Sequence, residues 1–330
     1  HKMNKAIKWG VIGCGNIAQK FVKDLQYVNN SQLYAIASTN KERREFFSDI
    51  FNPQKVYKTY ESLVQDENVD IVYVATTHNF HYKNTLLCLE ANKPVLCEKP
   101  ICINSKELKH LIGVAKKRRV FLMEALWTRF LPAVKHLITE IENGIIGKPK
   151  LIKADFGIMK PPTKGSRFYE KKLGAGALLD LGVYTINFSN FIFGKSPTSV
   201  SGFAKLTTQN VDEYSAYNLK YESGQIAQLL SSVSFKTPHT AKIYGEKGEI
   251  VVHDFYHPKR YTVFFFNGKK TTIDKPFPGF GYQYEAVEAQ ECLLKQKTES
   301  TIFSLNDSLK ALTIMDTLRK EWGITYPNDL

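Results

Sequence analysis

The stretch Gly13-Cys14-Gly15-Asn16-Ile17-Ala18 narrows the fold more than any other part of the chain. It follows directly on Lys8-Trp9-Gly10-Val11-Ile12, which reads as a buried strand, and it opens a helical pattern carried by Ile17, Phe21, Val22 and Leu25. Strand, glycine turn and helix in that order form the first turn of a dinucleotide-binding unit. The first glycine permits the tight turn, and the second lets backbone amides approach a pyrophosphate. The small Ala18 lets helix and strand pack closely, while the helix N-terminus supplies positive potential. Gly13, Gly15, Asn16 and Ile17 are therefore the expected phosphate contacts.

The alternation continues. Strand-like runs at 33–37, 55–57, 69–74, 95–98 and 120–123 are separated by helical patterns, which predicts an α/β Rossmann domain over 1–123 built on a doubly wound parallel sheet. The second strand ends at Ser38-Thr39-Asn40 and runs into Lys41-Glu42-Arg43-Arg44. An acid there would bind the ribose 2′-hydroxyl of NAD. Hydroxyls at Ser38 and Thr39 followed by Arg43 suit the extra phosphate of NADP instead, unless the basic residues are only a solvated helix face. NADP is the expected cofactor, with NAD as the alternative. After the 69–74 strand, Thr76, His78 and His81 are read as the polar wall of the cofactor cleft. The two histidines have no third ligand at suitable spacing, so no metal is expected.

The run Val95-Leu96-Cys97-Glu98-Lys99-Pro100 stops an apolar strand abruptly on a carboxylate, an amine and a proline. A lysine in a turn is ordinarily a surface residue. Here its place at a strand terminus and the restraint of Pro100 mark Lys99 as the chemical centre, with Glu98 beside it on the cofactor side. Asn104-Ser105-Lys106-Glu107 then has the spacing of a capping box for the next helix.

From Glu124 the pattern changes, and 124–330 reads as an α+β domain for substrate binding and dimerisation. A helix over 133–142 is followed by strands at 151–158, 200–206, 214–219, 226–235, 241–244, 250–253 and 261–266 without intervening helices, hence a large, mainly antiparallel open sheet. An exposed apolar face on such a sheet would be a homodimer surface. Helices at 282–295 and 305–321 close the chain.

The formal charge of +13 raises the question of nucleic acid, but the basic residues are scattered. The one dense run, Lys116-Lys117-Arg118-Arg119, falls where a helix ends and complements its dipole. The five cysteines form no CxxC pair and read as reduced thiols. No apolar stretch approaches the roughly 20 residues of a membrane span, and Met3 leads into a strand rather than a signal peptide, so a cytoplasmic protein with neither nucleic-acid nor membrane partners is expected.

One further helix start, Gly174-Ala175-Gly176-Ala177-Leu178-Leu179-Asp180-Leu181-Gly182-Val183-Tyr184, puts Asp180 and Tyr184 four apart and hence on one face. Spacing alone leaves open whether they form a site or a buried tyrosine with an acid near a helix start. Gly182 between them points to close packing. The Pro/Gly-bearing segment 160–169 before it is long enough for a lid.

Taken together, Gly13 to Ala18, Glu98-Lys99-Pro100, Trp127-Thr128-Arg129-Phe130, Ser166-Arg167-Phe168 and Gly176 to Tyr184 resemble the glucose-fructose oxidoreductase and inositol dehydrogenase family, and within it the dimeric dihydrodiol dehydrogenase branch. The likeness covers nearly the whole chain. It implies hydride transfer between nicotinamide and the carbinol or carbonyl carbon of a sugar, polyol or trans-dihydrodiol, with Lys99 near both, Asp180 as its acidic partner, and Tyr184 where many relatives have histidine. The branch tends to use NADP. Thr77-His78 departs from the Pro-Asn common in the wider family. Tyr and Lys titrate near 10 and 10.4, so each needs tuning to work near neutrality. We favour Tyr184 as the acid/base and Lys99 as its partner, with the reverse open. Trp127, Arg129, Phe156 and Arg167 are the expected substrate wall, the first two also facing the cofactor. The rival readings are an NAD-dependent inositol or polyol dehydrogenase, a glycosidase using bound NAD, and a nucleotide-sensing regulator without catalysis.

Overall fold

The computed structural model describes residues 5–330; Met3, read as leading into a strand, lies outside the described residues. Two compact units are present. The first runs to Trp127 and takes in Pro278–Leu309; the second comprises Thr128–Phe277 and Lys310–Leu330.

The first unit holds β1 (Ile7–Ile12), β2 (Ser31–Ala37), β3 (Lys55–Tyr57), β4 (Ile71–Val74), β5 (Val95–Glu98) and β6 (Leu122–Ala125). All pair in parallel, in the order β3-β2-β1-β4-β5-β6. β4, β5 and β6 are buried along their whole length, which is why they read as continuous apolar runs rather than alternating ones. The helices α1 (Asn16–Asp24), α2 (Lys41–Phe51), α3 (Tyr60–Val64), α4 (His81–Glu90) and α5 (Ser105–Arg118) supply the crossovers. Asn104 accepts the Glu107 N–H at 2.8 Å, and Lys116 to Arg118 occupy the last turn of α5, as the helix-end reading requires. The strand order reverses between β1 and β4, where an open α/β sheet binds its ligand at the carboxyl ends. β6 lies two residues later than its expected position, so Glu124 falls inside the strand rather than after it.

Pro278–Leu309 follows the second half in sequence but packs with the first sheet. Asp24, buried at the end of α1, accepts the N–H groups of Phe280 (3.1 Å) and Tyr282 (2.9 Å). Gln290 of α8 (Gln283–Leu294) accepts from Trp9 Nε1 at 2.9 Å and donates to the Asn29 carbonyl at 3.0 Å. Polar side chains buried against backbone set this attachment, and apolar periodicity does not report it.

The second unit is built on β7 (Pro149–Gly157), β8 (Ser199–Leu206), β9 (Asp212–Lys220), β10 (Ile226–Ser232), β11 (Thr240–Gly245), β12 (Gly248–His253), β13 (Arg260–Phe265) and β14 (Lys270–Asp274), in the order β14-β13-β12-β11-β7-β10-β9-β8. Only β7 and β10 pair in parallel. β14 escapes sequence reading because it is an exposed edge strand of mostly charged and hydroxyl residues. α7 (Val183–Phe193), preceded by a single π turn at Leu178–Gly182, covers β7 and β10; α6 (Pro132–Glu142) packs on β13. The last helix, α9 (Leu305–Trp322), ends with Trp322 Nε1 donating to the Gly202 carbonyl at 3.0 Å. Among the described residues no helix is long and apolar enough to cross a membrane.

Candidate active site

In the first unit the glycine turn has the geometry an anion requires. Gly13 adopts φ +97°, and a Cβ there would meet the Ala75 carbonyl oxygen at 2.6 Å, so only glycine fits. Gly15 is the N-cap of α1; no side chain caps this helix, and nothing lies within 4 Å of where a Gly15 Cβ would project. The N–H groups opening α1, at Asn16 and Ile17, thus lie at an end with no side-chain cap, and an uncapped helix N-terminus favours an anion. Burial pushes the Cys14 thiol up to about 12, so it stays neutral there.

The end of β2 is organised by hydrogen bonds. Asn40 accepts the Arg43 N–H at 3.0 Å, Ser38 Oγ accepts the Asn40 N–H at 3.2 Å, and the Tyr60 hydroxyl bonds Thr39. Arg44 is buried and donates to the Ser38 carbonyl at 2.8 Å, whereas Arg43 is exposed. Both guanidinium groups lower the Cys14 thiol against the effect of burial, so their potential reaches the glycine turn. Residues of this kind fit a dinucleotide carrying an added phosphate.

Lys99 is half-buried at the end of β5, joined to Pro100 by a cis peptide bond. Glu98 is turned into the fold: its Oε1 accepts from the Tyr73 hydroxyl at 2.5 Å and its Oε2 from the Lys99 N–H at 3.1 Å. The structure gives His81 a different task from the cleft wall expected of it. The ring is buried, with Nδ1 2.6 Å from the Pro100 carbonyl oxygen and Nε2 3.0 Å from that of Thr76. Burial, reinforced by His78, drives its titration down to about 3 against the two carbonyls, so the ring is neutral and donates to one of them. His78 lies beside it, ring centroids 5.6 Å apart, and Thr76 accepts from Asn84 at 3.1 Å. Trp127 stacks on Tyr282 at 4.2 Å.

In the second unit Asp180 lies in the π turn and Tyr184 in the first turn of α7, both buried. Arg167 Nη1 is 3.7 Å from Asp180 Oδ1, and its guanidinium lies over the Phe168 ring. Gly182 has no room for a side chain: a Cβ would meet Tyr217 Oη and Leu178 Cδ1 at 2.8 Å. The close packing inferred from its position is thus the contact with β9. Phe156 lies 5.4 Å from the Tyr184 ring, and the Arg129 guanidinium sits over the Phe191 ring. Two members of the cluster escaped sequence reading. Tyr256 (4.4 Å from Phe156, 5.6 Å from Tyr184) and His239 (4.7 Å from Phe156) come from loops remote in sequence, and no local pattern marks them. Among the described residues no group of three His, Cys, Asp or Glu side chains is placed to hold a metal.

A 3-2-1-4-5-6 parallel sheet whose first turn leaves helix amides open to an anion defines a dinucleotide-binding enzyme. Residues 7–126 match the oxidoreductase family with an NAD-binding Rossmann fold, and residues 134–251 match the GFO/IDH/MocA C-terminal domain. The chain belongs to the GFO/IDH/MocA oxidoreductase family. It is similar to trans-1,2-dihydrobenzene-1,2-diol dehydrogenase of Xenopus laevis, 38% identical over 334 residues, covering 98% of this chain and 100% of that protein. The Homo sapiens enzyme of the same name is 31% identical, with 98% and 99% covered. In fold it resembles aldose-aldose oxidoreductase from Caulobacter crescentus, with a TM-score of 0.88 at 21% identity over 97% of this chain and 98% of that one.

The segment bearing Asp180 and Tyr184 is held by Asp212, whose Oδ2 accepts the Leu178 N–H at 2.6 Å. Burial lifts the Asp212 carboxyl from its ordinary 3.8 to about 7. A folded value above the unfolded one means that the neutral acid contributes stability fully below the unfolded value, lost as pH rises through the folded one. Asp212→Asn keeps the acceptor and removes the ionisation. The thermal midpoint of the wild type should therefore fall relative to the variant between about pH 4 and about pH 8; a difference independent of pH would show an ordinary acid.

Proposed function

We propose that the chain is an NADP-dependent dehydrogenase that oxidises the carbinol carbon of a trans-dihydrodiol, sugar or polyol, or reduces the corresponding carbonyl. The observation that carries this reading is the end-to-end similarity to dihydrodiol dehydrogenases, together with Asp180 and Tyr184 in one buried helical segment beside an aromatic cluster. Bound NADP supplies hydride acceptance and donation at the nicotinamide. Tyr184 moves the proton at the substrate oxygen. Lys99 and Asp180 are the other two residues of the proposed chemistry: a cation favours tyrosinate, and a carboxylate favours a charged amine. Phe156 and Trp127 offer flat apolar faces to a ring, and Arg167 and Arg129 hold hydroxyls. Gly13, Gly15, Asn16 and Ile17 take the pyrophosphate; Ser38, Thr39 and Arg43 take the 2′-phosphate; Thr76, His78 and Glu98 line the nicotinamide side.

Two finer assignments complete the proposal. All five cysteines are buried and unpaired, which supports a cytoplasmic enzyme. The second is a homodimer through the outward face of the eight-stranded sheet. Buried and exposed residues alternate along most of β9, half-buried and exposed ones along β8, Phe203 is 87% exposed, and a groove of about 560 Å³ runs past Leu151, Phe203, Ala216 and Ile226. An exposed apolar groove on the outward face of a sheet fits a second copy of the chain.

Lys99→Met should lower kcat with NADP+ and a diol by at least about a thousandfold while NADPH still binds, read by fluorescence titration; retained turnover removes Lys99 from the chemistry. Arg43→Ala should weaken NADPH at least about tenfold and leave NADH unchanged, since a charge-assisted phosphate contact is worth about 1.5–3 kcal/mol. Equal effects on both nucleotides would favour the NAD-dependent polyol reading. Phe203→Glu should convert a dimer to a monomer in sedimentation; a wild type that already sediments as a monomer rejects the interface.

A further inference from the structure

The turn that presents Lys99 is gripped at three consecutive residues by side chains from three elements. The Lys99 N–H donates to Glu98 Oε2 at 3.1 Å. The Pro100 carbonyl, the only hydrogen-bonding group proline has, lies 2.6 Å from His81 Nδ1. The Ile101 N–H donates to Glu124 Oε2 at 3.0 Å. Glu124 is the least expected of the three. It sits within fully buried β6, paired in register with Cys97 of β5, and is 3% exposed. An apolar residue would serve the strand better, and the reaction proposed above gives this carboxyl nothing to do.

We infer that Glu124 is a positioning residue: it ties down the turn bearing Lys99 through Ile101 and passes its own protonation state to that turn. The inference rests on the reading of Lys99 as the group beside the reacting carbon. Ile101 is buried, so without Glu124 its N–H has neither a partner nor water. Burial raises the Glu124 carboxyl from its ordinary 4.5 to about 7; Glu98 pushes the same way, while the Ser308 hydroxyl, the Ile101 N–H and Lys99 oppose it. The groups facing it are Glu98 and Cys97 from β5, Lys99 and Ile101 from the turn, Cys102 just beyond, and Ser308 from α9. Burial holds both thiols well above their ordinary range, so they stay neutral. The charged partners are therefore Glu98 and Lys99 alone. As pH rises through about 7, Glu124 gains a charge, its bond to Ile101 becomes charge-assisted, and a negative charge appears beside Lys99.

The test pairs Glu124→Ala with Glu124→Gln in the full chain. Glu124→Ala should lower kcat at least about tenfold with the NADPH dissociation constant within about twofold of wild type, because the nucleotide contacts lie elsewhere. Glu124→Gln keeps a neutral acceptor for Ile101, so its kcat should match that of the protonated wild type at every pH and exceed that of Glu124→Ala, while the rise in kcat through about pH 7 disappears. The backbone amide resonance of Ile101 should titrate with a midpoint of about 7 in the wild type and not in Glu124→Gln, independently of any substrate. An Ile101 resonance that does not titrate, or a folded Glu124→Ala enzyme with wild-type kcat, overturns the inference. A wild type without NADP-linked turnover on any carbinol overturns the proposed function instead, and the Ile101 titration still decides the role of Glu124.

Discussion

The organising constraint is that fully buried strands leave their backbone with nowhere to go when they stop. β4 and β5 are flanked by strands on both sides, β6 pairs with β5 alone, and every residue of the three is buried. Past the last rung the ladder supplies no further partners, and an orphaned buried group costs about 1–3 kcal/mol. At the ends of β4 and β5 the acceptors and donors that fill this gap are Glu98, His81 and Glu124. Ionisable side chains satisfy the backbone there, and that places charge and proton affinity at the strand termini where the chemistry is proposed.

The second unit meets the same problem with the same residue type. Asp212 accepts the N–H that opens the Asp180 segment, Asp155 accepts the N–H of His239 at 2.7 Å, and Tyr326 donates to the Ala175 carbonyl. Arg319 in turn holds the chain end through Asp329 at 2.8 and 3.1 Å. Buried carboxyls in both units thus serve as acceptors for backbone N–H groups. Their cost appears as titration displaced toward neutrality, in Glu124 and Asp212 alike.

Local periodicity and turn chemistry were enough to read the first sheet, the glycine turn, most strands of the second sheet and the Asp180–Tyr184 spacing. These signals need only neighbours in sequence. What was not legible depends on contacts between distant residues. Asp24 looks like a surface residue at a helix end until it accepts from Phe280 and Tyr282. His81 resembles a ligand until both ring nitrogens are seen against carbonyls. Tyr256 and His239 carry no motif, and join Tyr184 only because β10, β11 and β12 bring their loops to Phe156. The Pro278–Leu309 segment shows that order along the chain is a poor guide to which body a late helix joins.

The π turn at Leu178–Gly182 acts as a phase setter for α7. It holds one residue more per turn than an α-helix, and each residue in an α-helix advances the side chains by about 100°. Everything from Val183 onward is therefore rotated relative to a helix without the extra residue. A one-residue deletion within 178–182 would swing Tyr184 off the face it shares with Phe156 while leaving the buried length of α7 almost unchanged. The orientation of Tyr184 is thus encoded in a residue count, independently of which apolar side chains fill the helix around it.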